Sequence, residues 1–109
     1  MAYDIVTIEW FEVGGFGIVA TDDRLLKVTE FSAAGEIKIR HQGTKKYKFR
    51  EPSIFRSNDW TDMIEKNRQL DAELINEGWQ LADPKLAYSI TGAGSNLAYV
   101  RRSAVPNPR

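Results

Sequence analysis

The chain has 109 residues, 42% of them hydrophobic, with fifteen basic and fifteen acidic side chains that cancel and no cysteine. That length fits one domain able to bury roughly two-thirds of the surface its unfolded form exposes. The composition excludes a disordered tail, and the missing cysteine excludes disulfides, thiolate metal sites and thiol nucleophiles.

A neutral molecule has no long-range attraction for nucleic acid or an anionic membrane, but the charge is unevenly spread. Residues 1–36 carry seven acids and two bases, 37–50 six bases and no acid, 51–83 eight acids and three bases, and 84–109 four bases and no acid. No window approaches the roughly 20 apolar residues of a membrane span. The N-terminus lacks the basic and apolar regions of a secretory signal, so the expected location is the cytoplasm, of a cell or of a host.

Tyr3 to Val13, YDIVTIEWFEV, is rich in β-branched and aromatic residues and reads as a strand. Gly14-Gly15 suits a two-residue hairpin turn that brings Val13 opposite Phe16 and Phe11 opposite Ile18. Asp22-Asp23 turns the chain again, and Arg24 to Phe31, RLLKVTEF, is a third strand. Ser32 to Gly35 leads into EIKIRHQGTKKYKFR, Glu36 to Arg50. This stretch reads as two strands, Glu36–Arg40 and Lys46–Arg50, paired as a hairpin through a loop containing Gly43. In that register Ile39 meets Tyr47 and Ile37 meets Phe49 on a core face. The other face sets Glu36 across from Arg50, Lys38 across from Lys48 and Arg40 across from Lys46. Like charges directly opposite are destabilising, so such a face is either well solvated or built to meet an anion.

After Pro52, Ser57 or Asn58 is a suitable N-cap for a helix over about residues 58–77. Its apolar stripe is Trp60, Met63, Ile64, Leu70, Leu74 and Ile75, interrupted by Asn67, with Glu65, Arg68, Asp71, Glu73 and Glu77 mostly on a solvated side. Gly78 supplies a left-handed stop, with Trp79 packing back on Ile75 or Leu74. Trp79 to Leu81 reads as the start of a strand, Asp83-Pro84 as a turn, and Ala87–Ile90 with Leu97–Arg102 as a C-terminal β-hairpin. The fold class is therefore α+β: an antiparallel curved sheet or partly open barrel of short strands, crossed by one long helix. Residues 1–104 form a single domain and 105–109 a flexible tail.

The residues give little footing for catalysis, and an enzyme is not expected. His41, the one histidine, has cationic neighbours in Arg40, Lys45 and Lys46 and no identifiable relay partner. Asp22-Asp23 is too small a ligand set for a metal, and neither Gly14–Gly17 nor Gly92–Ser95 has the context of a phosphate loop. No cofactor is expected. Trp60 and Trp79 read as core residues, with Trp60 a possible interface anchor.

The functional expectation rests on Lys38, Arg40, Lys46, Lys48 and Arg50, which share one parity, joined by Arg101 and Arg102. A binding module using that basic face suits single-stranded nucleic acid, whose partners combine cationic tracks with aromatic platforms. The alternative is a small interaction factor, such as an accessory subunit, regulator or phage-type inhibitor, docking the same face on an acidic surface of a larger enzyme.

The order of a Gly-turn hairpin, GEIKIRHQ, KKYKF and a helix opening at Asn58-Asp59-Trp60 resembles the single-stranded-DNA-binding domain of the positive-cofactor transcriptional coactivators, over roughly residues 11–77. LINEGWQL followed by LAYVRR is similar to the helix end and last strand of a small uncharacterised family with an EGWEL-type motif. No site residue is carried over from either.

Overall fold

A computed structural model of the chain describes residues 2–13, 23–49, 58–92 and 96–103. Its elements are β1 (Tyr3–Glu12), β2 (Asp23–Phe31), β3 (Ile37–Gln42), β4 (Tyr47–Lys48), α1 (Trp60–Asn76), β5 (Gln80–Leu81), α2 (Pro84–Thr91) and β6 (Leu97–Arg102). The fold is α+β, one antiparallel sheet that does not close, in the order β3-β2-β1-β6-β5, with β4 also pairing β2.

Alternation along the strands builds two unlike faces. Val6, Ile8 and Trp10 of β1 stand beside Leu26 and Val28 of β2 and Tyr99 of β6, and α1 covers them with Met63, Leu70 and Leu74. Full burial of each such apolar side chain contributes roughly 1.5–3 kcal/mol, so this layer holds most of the core. The opposite face is covered at β6 by α2, where Ala82, Ala87 and Ala98 pack together with Ile90.

Asn67 interrupts the apolar stripe of α1 because it serves the core differently: its Oδ1 accepts the Trp10 indole Nε1–H at 2.9 Å. Asp71, expected on the solvated side, accepts the Tyr99 hydroxyl at 2.6 Å. Both buried ring donors thus obtain partners from the helix, as burial requires. Ile64 and Ile75, expected in the stripe, are exposed. The C-terminus of α1 is a Schellman motif, with Gly78 at φ +92°, Gly78 N–H donating to Ile75 O and Trp79 N–H to Leu74 O. At the N-terminus Asp59 takes the cap position without capping, because its Oδ2 accepts Lys48 N–H at 2.7 Å instead.

Two expectations are corrected. Ala87–Ile90 is helical rather than a hairpin strand: Asp83 accepts Leu86 N–H at 2.8 Å, Pro84 opens α2, and Gly92 closes it at φ +73°. Asp-Pro marks a helix N-cap and first position as readily as a turn, and β6 pairs with β1 and β5. The charged hairpin does not form either. β3 and β4 both pair with β2, one after the other along the same edge. The register sets Lys38 opposite Glu30 and Lys48 opposite Asp23, replacing the like-charge pairs of a hairpin with opposite-charge pairs. The hairpin proposed around Gly14-Gly15, with Phe16 and Ile18, lies outside the described residues, as does the tail.

Candidate functional site

The cations expected on one face are distributed over several environments. The β2–β3 register shifts between Val28 and Thr29, which pair with His41 and Ile39, so Arg40 is the extra residue of a bulge. Its guanidinium reaches Glu30 at 3.4 Å, Glu73 at 3.5 Å and Glu77 at 2.5 Å, joining the edge strand to the end of α1. The hydrogen bond from Arg40 holds the Glu77 carboxyl below its ordinary range, and the same bond raises Arg40. Lys48 lies on the other face, its Nζ 3.1 Å from Asp23. Lys38 on β3 and Lys46 in the segment before β4 are exposed, and no ion pair among the described residues involves either. Arg50 lies outside the described residues.

Arg101 and Arg102 also part company. Arg101 stacks on Trp79 at 4.1 Å and donates to Glu77 O at 3.2 Å, placing positive charge at the negative end of α1. Arg102 has the opposite parity, in register with Tyr3. His41 is on a strand, in register with Val28, rather than in a loop. Among the described residues no cluster of three or more His, Asp or Glu is placed to hold a metal ion, and no helix is long and apolar enough to cross a membrane.

What sequence reasoning assigned to the core is partly surface. Ile37 is 68% and Ile39 52% exposed. Both lie on the face away from α1, because they oppose Phe31 and Thr29 rather than Phe49 and Tyr47. The registers align Ile37, Phe31, Ile5 and Val100 in one row across four strands. Tyr3, in the register position next to that row, is exposed. β3 is the last strand of the sheet, so its outer side has no strand partner among the described residues. Edge strands with apolar side chains and unpaired amides are templates for another chain.

A second feature lies on the α1 side. Among the described residues, a cavity of about 300 Å³ is bounded by Trp10, Phe49, Trp60, Met63 and Ile64, with Arg24 and Asn67 as polar residues. Phe49 and Trp60 are partly exposed, their ring centroids 5.8 Å apart and inclined at 53°. Tyr47 packs edge-on against Trp10 at 4.9 Å. Arg24 was not a candidate from sequence, since only the fold brings it beside residues 49–67. A smaller cleft of about 170 Å³ between β3 and α1 includes Arg40, His41, Lys66 and Glu73.

Comparison of the chain with protein-family models, with curated proteins and with solved structures finds no match. The Gly-turn hairpin of the coactivator resemblance lies outside the described residues, and its two following strands, β3 and β4, each pair with β2 rather than with one another.

Proposed function

We propose that this chain is a non-enzymatic binding module, an interaction factor that docks the β3 edge and the adjoining apolar sheet face on another protein. The observation that carries this reading is the exposure of Ile37 and Ile39 at an edge whose outer side has no partner strand among the described residues. An added strand would lay alternate residues beside Ile37 and Ile39 on one face and beside Lys38 on the other. Its complement is an extended segment alternating apolar and acidic residues. A second copy of this chain is a poorer partner. Antiparallel β3 pairs centred on residue 38, 39 or 40 set Lys38 against itself, Lys38 against Arg40, or Arg40 against itself.

Single-stranded nucleic acid, the other anionic partner expected from sequence, calls for a continuous cationic track. Arg40 is held by three acids and Lys48 by one, so the arrangement favours a protein partner. The test is an NMR titration of the ¹⁵N-labelled chain with a synthetic peptide of alternating Ile and Glu. Saturable shifts at residues 37–42, lost in Ile39→Glu and in Lys38→Glu, support the reading. No response to the peptide, together with salt-dependent binding of a single-stranded oligonucleotide, would replace it with the nucleic-acid alternative.

A further inference from the structure

We propose that the cavity between the first half of α1 and the β1–β2 ladder is a binding site for a small, neutral, planar aromatic molecule carrying a hydrogen-bond acceptor. This site is independent of the β3 edge. Its size, about 300 Å³, is at the small end of ligand pockets and suits one fused bicyclic ring. The walls set the ring type. Trp10, Phe49 and Trp60 present aromatic surface from two strand-side segments and the helix, and the Met63 thioether adds a polarizable contact. Such surroundings reward a flat π-system over an aliphatic chain of equal volume.

The polar residues set the functional group. Arg24 Nη1 donates to Trp10 O at 3.3 Å and Nη2 to Glu12 at 3.2 Å, whereas its Nε is buried and has no acceptor among the described residues. Asn67 spends its carbonyl oxygen on the Trp10 indole, and its NH2 group has no protein acceptor among the described residues. Among the described residues, both polar side chains in the wall therefore bring a donor without a protein acceptor, and the one side-chain acceptor they bring, Asn67 Oδ1, is already engaged by the Trp10 indole. A ligand carbonyl or ring nitrogen is the complement. Glu12 already balances the charge of Arg24, which selects a neutral acceptor over a carboxylate.

The probes are oxindole, a neutral fused bicycle with a carbonyl, and indane, which has nearly the same shape and no acceptor. Each is titrated into the ¹⁵N-labelled full chain while the indole N–H resonances of Trp10 and Trp60 are followed. Oxindole is expected to shift both saturably and to bind at least about tenfold more tightly than indane, the ratio one hydrogen bond to a charged donor supplies. Arg24→Lys, which keeps the charge and removes the Nε–H, is expected to erase that preference. Ile64→Arg, at an exposed position on the cavity rim, is expected to weaken both. Absence of a saturable response to oxindole, or equal affinity for the two rings in the unsubstituted chain, overturns the proposal without reliance on either variant.

Discussion

Arg40 Nη2 lies 2.5 Å from Glu77 Oε2, so the bulge of the edge strand is tied to the last turn of the long helix across the sheet's rim. The pairing has a defined pH signature. Glu77 is held below its ordinary 4.5 by the Arg40 hydrogen bond, so its contribution is present above that value and is lost as pH falls through the lower folded value. Arg40 is raised above its already high ordinary value, so its contribution stays constant throughout the acid and neutral range. Glu73 and Glu77 remain in contact with solvent, and screening holds the cost of Arg40→Met to about 1 kcal/mol at neutral pH. Urea titrations at pH 7 and pH 3 should show the difference between variant and parent shrinking at the lower pH.

Asn67→Leu tests the bond that α1 makes to the sheet. The leucine fills the stripe but strands the Trp10 indole N–H in a buried site, at a cost of about 1–3 kcal/mol. Denaturant unfolding should register that loss despite the gain in apolar surface, and Asn67→Gln should recover part of it.

Tyr99 provides the alkaline counterpart. Burial, reinforced by its hydrogen bond to Asp71, pushes the Tyr99 phenol well above its ordinary 10.0. A raised folded value means that stability is fully present below pH 10.0 and declines as pH rises beyond it. Tyr99→Phe should flatten that alkaline decline, measured by thermal unfolding from pH 8 to 11, while losing the hydrogen bond at neutral pH.

Gly78→Ala separates backbone strain from crowding. A Cβ at this position meets nothing closer than Arg101 Cδ at 3.9 Å, so space is available. The φ of +92° is the obstacle, and the substitution should cost about 1–2 kcal/mol. The corresponding change at Gly43, whose φ is not positive but whose Cβ would lie 3.4 Å from His41 Nε2, should be milder.

Local sequence signals carried far where only local physics decides. The 3.6-residue stripe placed α1 within two residues at its start and one at its end, and Gly78 with Trp79 announced the Schellman stop. β1 and β2 were legible from their β-branched and aromatic residues. What could not be read was the partner of the basic segment. Parity within residues 36–50 pointed to a hairpin, but the acids that decide the pairing, Asp23 and Glu30, are on β2, and the bulge at Arg40 breaks the parity on which a shared cationic face depended. The cavity was hidden for the same reason, since Trp10, Arg24 and Asn67 converge only in the folded chain. Asn67 was visible as an interruption and not as the acceptor that Trp10 needs.

The strand pairing of the basic segment bears most directly on the whole account, because it decides both where the cations point and whether Ile37 and Ile39 face solvent. Cross-strand backbone NOEs in the uniformly labelled chain report it. Contacts from Lys38 to Glu30 and from Lys48 to Asp23 are the result expected from the register. Contacts from Lys38 to Lys48 and from Arg40 to Lys46 would restore the hairpin, return Ile37 and Ile39 to a shared face with Phe49 and Tyr47, and contradict the docking edge.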